Sequence, residues 1–117
     1  IDFRPLISDS GNKRKVLTML VKESETNKEE LVEAIRNKDR MRIKEIIHRM
    51  FPMWEMLGIA EELQEYRNLV HDDSSGDQVM KEWTLKITAS LDRLVSAAEN
   101  EINSLIRQEN EKENTDS

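Results

Sequence analysis

Residues 46–63 read IIHRMFPMWEMLGIAEEL, and the reading of this stretch decides the fold. Its apolar residues recur at intervals of three and four, the period of a helix with one buried side. Carried toward the N-terminus, the pattern predicts a helix from about Arg40 to Met56. Ile43, Ile46, Ile47, Met50, Trp54 and Leu57 form its inner face. Asp39 is placed to cap the start, and Gly58 to end the helix in a left-handed cap.

With Ile43 at zero and about 100° of turn per residue, the inner residues fall within about 60° of that line, whereas His48 comes out near 140°. The histidine therefore points to solvent. Lys44 and Glu55 lie beside it, Met41 and Pro52 above and below, and Phe51 at the border between core and solvent. Pro52 has no N–H to offer the His48 carbonyl and its ring crowds that carbonyl, so a bend is expected there. Met41, Phe51, Pro52 and Met56 make an exposed apolar ring around one polar group, which reads as a docking surface. Each feature alone has a blander reading: a lone surface histidine is usually inert, and methionines at helical spacing usually fill a core.

The same period runs through the rest of the chain. Residues 2–8 predict a short leading turn whose Phe3, Leu6 and Ile7 plug one end of a bundle. SDSGN supplies capping chemistry for a helix from about Asn12 to Arg36, with Val16, Leu17, Leu20, Val21, Ser24, Leu31 and Ile35 inward. A third helix, about Ala60 to Val70, packs through Leu63, Tyr66 and Val70. HDDSSGD is a loop, and Asp77 opens a long last helix, roughly Gln78 to Glu109. Its inner positions are Met80, Trp83, Ile87, Leu91, Leu94, Val95, Ala98, Ile102 and Leu105. The polar residues 110–117 predict a frayed tail. The fold expected is all-α: an antiparallel four-helix bundle over residues 1–109 with a short leading helix.

Composition agrees. The 117 residues are 37% hydrophobic and 36% charged, with only three glycines and two prolines, a helical balance rather than a β one. A net charge of −6 argues against nucleic acid as a partner. The chain has no cysteine, which excludes disulfides and thiolate-bound metals and fits a reducing compartment. No apolar run is long enough for a membrane span, so no direct membrane contact is expected. The first residue is Ile1, which suggests a segment of a longer chain.

On the residues HRMFPMWEMLG, with outward His48, Pro52 four positions on and Gly58 ten positions on, the chain resembles the histidine phosphotransfer (HPt) domain of hybrid sensor histidine kinases. The likeness spans about residues 2–106: a long helix, the histidine helix, a shorter helix and a long last one. Many members carry lysine and glycine where this chain has Phe51 and Pro52. The resemblance implies a phosphocarrier and not an enzyme by itself, in a cytoplasmic two-component phosphorelay whose parent is a sensor kinase of the membrane. His48 would be the phosphoacceptor, attacking through Nε2, since imidazole near neutral pH keeps one ring nitrogen free as nucleophile. Lys44, Arg49 and Arg67 are the candidate cations for the phosphoryl group, and Asn68 the amide that steadies the ring. Met41, Glu45, Phe51, Pro52, Glu55 and Met56 would receive the partner. The implied partners are response-regulator receiver domains and the kinase core of the same parent chain. No cofactor is expected in this domain, magnesium belonging to the receiver, and the isolated domain is expected to be monomeric. His71 is read as a loop residue without a role.

Two other readings compete. The chain could be a non-catalytic helical interaction module that binds through Met41, Phe51 and Met56, with His48 incidental. A metal-binding bundle is disfavoured: Glu45 and His48 form one Glu-x-x-His, but it points outward and has no second copy.

Overall fold

A computed structural model describes residues 1–6 and 10–115, with side chains described for 1–6 and 12–111. The described residues form a 3-10 turn at Arg4–Leu6 and four helices: α1 (Ser10–Arg36), α2 (Arg40–Met56), α3 (Ala60–His71) and α4 (Asp77–Thr115). Each helix packs on the next in chain order, and α4 closes the ring against α1. Short connectors make neighbours antiparallel, as the sequence predicts. The molecule is a rod of 65 × 22 × 17 Å. Its length follows from unequal helices: at about 1.5 Å per residue α4 is roughly twice as long as α2 and three times as long as α3.

The core is a single apolar seam. Leu17, Leu20, Leu31 and Ala34 of α1 face Ile43, Ile46, Ile47, Met50 and Trp54 of α2, Leu63, Tyr66 and Val70 of α3, and Met80, Ile87, Leu91, Leu94 and Ala98 of α4. Phe3 and Leu6 of the leading turn pack against it, as expected of a plug, while Ile7 lies outside the described residues. Ser8 and Asp9, read as part of the cap of α1, also lie outside them.

The helix ends of the central hairpin are set by two turns of one kind. At the end of α1, Asp39 N–H donates to the Ala34 carbonyl at 2.9 Å across Lys38, whose φ is +54°. At the end of α2, Ile59 N–H donates to the Trp54 carbonyl at 3.0 Å across Gly58, whose φ is +74°. Glycine adopts this left-handed conformation freely, whereas a lysine is strained there. The cap on α2 is as read: Asp39 Oδ1 accepts from the Arg42 N–H at 3.1 Å.

Three details depart from the sequence reading. α4 continues to Thr115, past the expected end near Glu109, because its last residues include good helix formers that need no burial to stay helical. Val95, read as inner, is half-buried, as are Trp83, Ile102 and Leu105, which pack against the core from its edge. Thr84 and Thr88 are buried instead, since each hydroxyl bonds a carbonyl of its own helix: Met80 at 2.7 Å and Leu85 at 2.9 Å. α2 spans Arg40–Met56 with Pro52 inside it, as the sequence predicts.

Candidate functional site

The orientation of α2 is fixed by what it buries. Ile43, Ile46, Ile47, Met50 and Trp54 are all at most 2% exposed. At about 1.5–3 kcal/mol for each buried side chain, turning the helix to hide His48 would forfeit on the order of 10 kcal/mol. His48 is exposed, and neither ring nitrogen makes a hydrogen bond among the described residues. The imidazole is reachable from solvent.

The apolar rim stands where the helical wheel puts it. Met41 is 67% exposed and Met56 49% exposed, Pro52 is exposed, and Phe51 is half-buried at the edge of the core. Pro52 withholds an N–H from the carbonyl of His48, so that carbonyl lacks its usual partner in the helix. Glu55 is exposed on the same face. Glu45 is committed along its own helix, accepting from Arg42 Nη1 at 3.0 Å. That bond, followed by the charge of Glu30, raises the Arg42 pKa above its ordinary value.

The basic candidates separate into two flanks. Arg49 turns toward α1, where its Nη2 donates to Asn27 Oδ1 at 2.6 Å and its guanidinium pairs with Glu30. Glu30 also pairs with Arg42 at 3.2 Å, so this flank is a closed ion network. Arg67 occupies the opposite flank, with its guanidinium carbon 5.4 Å from the centre of the Phe51 ring. Neither Arg67 nor Lys44 forms an ion pair with a carboxylate among the described residues. Asn68 lies one residue beyond Arg67 on α3, and its Oδ1 accepts from Gln64 Nε2 at 2.9 Å. His71 is the last residue of α3 rather than part of the loop, and it is exposed.

The sequence reading missed the placement of the Arg67 guanidinium over the Phe51 ring. Its only trace was that both residues sit at the margins of their apolar stripes. No described group of three or more histidine, aspartate or glutamate side chains is arranged to hold a metal ion. No described helix is long and apolar enough to cross a membrane. Chemically the face offers a nucleophilic nitrogen, an apolar landing rim and two uncommitted cations, on an open helix surface rather than in a cleft. No family model, curated protein or solved structure matches the chain.

Proposed function

We propose that the chain is a phosphorelay carrier in which His48 accepts a phosphoryl group from a receiver-domain aspartate and passes it to another. The observation that carries this reading is the imidazole itself: exposed, without a hydrogen-bond partner among the described residues, and framed by Met41, Met56 and Phe51. In the transfer, a lone pair of one ring nitrogen forms the P–N bond. The P–O bond to the partner's aspartate breaks, and its electron pair leaves with the carboxylate. The other ring nitrogen keeps its proton.

Phosphoryl transfer asks mainly for positioning and for charge stabilisation around the equatorial oxygens. An open helix face suits a nucleophile that must enter the site of another protein. The resemblance to HPt domains supports the same role, with magnesium held by the receiver and with the domain as a cytoplasmic part of a hybrid sensor kinase. The exposed methionines alone would equally suit a plain interaction module, and activity separates the two.

The experiment is incubation of the purified chain and its His48→Ala variant with radiolabelled, phosphorylated receiver domains. Label is expected on the parent chain and not on the variant, whose helicity is unchanged. Equal labelling of both, or labelling of neither across a broad receiver panel, overturns the proposal.

A further inference from the structure

We propose that Phe51 is an aromatic shelf that holds the Arg67 guanidinium beside His48, making Arg67 of α3 the cation that steadies a phosphoryl group on that imidazole. This rests on the relay reading above and adds the positioning residues for it.

Phe51 follows His48 by three residues and lies about 60° round the helix from it, on the side facing α3. Side chains on a helix lean toward its N-terminus, so the Phe51 ring leans over the turn that carries His48. The guanidinium carbon of Arg67 sits 5.4 Å from the centre of that ring. A cation held over an aromatic face is attracted by the ring without a carboxylate taking up its N–H donors. An arginine held this way is oriented without being consumed. A carboxylate partner would orient it equally well but would neutralise it and occupy those donors.

The competing cations fit less well. Arg49 is on the other flank, bonded to Asn27 and paired with Glu30. Lys44 is on the same flank as Arg67, but it offers a point charge on a flexible stem rather than a planar fork matched to phosphoryl oxygens. Arg67 is exposed, so replacing it removes no core contact.

The test uses potassium phosphoramidate to phosphorylate His48 directly, which removes receiver docking from the measurement. The chain is compared with Arg67→Gln, Arg67→Lys, Phe51→Leu and the double variant Phe51→Leu/Arg67→Gln, each checked by circular dichroism. Loss of one charge-assisted contact is expected to slow phosphorylation about tenfold in Arg67→Gln. It should also raise the pH midpoint of the phosphohistidine 31P resonance, because a neighbouring cation favours the dianion. Arg67→Lys should recover part of both effects. Phe51→Leu should reproduce part of them alone and add nothing to Arg67→Gln. If Arg67→Gln matches the parent chain in rate and midpoint, the inference falls and the relay reading stands. If Phe51→Leu is silent while Arg67→Gln is slow, the shelf is wrong. If His48 of the parent chain takes no phosphoryl group, the relay reading falls and this inference with it.

Discussion

Tyr66 is fully buried, and its hydroxyl oxygen lies 2.6 Å from Thr84 Oγ1 across the α3–α4 interface. Thr84 has one proton, and it goes to the Met80 carbonyl at 2.7 Å. Tyr66 must therefore be the donor in the pair. This polarity predicts unequal costs for removing the two partners. Tyr66→Phe deletes one neutral hydrogen bond and strands no donor, so it should cost about 1 kcal/mol. Thr84→Val leaves the Tyr66 hydroxyl buried with no acceptor, and should cost roughly 1 kcal/mol more than that. The double variant removes the stranded donor along with its acceptor, so it should be no worse than Thr84→Val alone. Urea unfolding monitored by circular dichroism, with the slopes compared to confirm a common two-state transition, gives all three values. Equal costs that simply add, or a larger loss for Tyr66→Phe, would refute the assigned donor. The pair also matters for the candidate site, because Tyr66 seats α3 and so sets where the adjacent Arg67 stands beside α2.

Burial pushes the Tyr66 phenol up to about 12. The folded state holds that proton above the ordinary value near 10, so the associated stability is intact below pH 10. It should decline by roughly 2–3 kcal/mol as pH rises to about 12, a decline that Tyr66→Phe should abolish in alkaline unfolding curves. Lys38→Gly should stabilise the protein by about 1 kcal/mol and Gly58→Ala destabilise it by a similar amount, since the two positions share one left-handed turn. Nothing lies within 4 Å of a methyl group added at Gly58, so its cost is backbone strain alone; opposite or equal shifts in denaturation midpoint would contradict this. Pro52→Ala returns an N–H to the His48 carbonyl and should raise stability by up to about 3 kcal/mol, as read by thermal unfolding. Met41→Glu should leave helicity unchanged and reduce phosphoryl transfer from a receiver, without slowing phosphorylation by phosphoramidate; unchanged receiver transfer would remove Met41 from the docking surface.

α2 was the most legible element because its burial pattern is dense. Five fully buried apolar residues in its seventeen leave one phase for the helix, and that phase alone sends His48 outward. The caps at Asp39 and Gly58 were equally readable, each residue type having one strong local reason to be there. Lys38 was not, because a turn demanded by tertiary packing overrode the preference of its residue. The inner face of α4 was misread at Thr84, left out because hydrophobicity was taken for burial. Threonine can bury its hydroxyl by bonding its own helix, while Trp83 stays at the edge with Lys86 Nζ 4.4 Å from its ring centre. The candidate site was legible only as far as one helix determines it. Which cation stands free depends on contacts between helices, where Arg49 meets Glu30 and Arg67 meets Phe51, and no period in the sequence encodes those.

The central claim is that an open ring nitrogen of His48 takes the phosphoryl group of a partner's aspartate. Long-range 1H–15N spectra of the chain labelled at histidine, recorded during incubation with a phosphorylated receiver, follow that nitrogen directly. The account predicts that one ring nitrogen of His48 shifts and acquires coupling to phosphorus, while both nitrogens of His71 stay unchanged. Signals of His48 that never move while the receiver loses its phosphoryl group to water would contradict it.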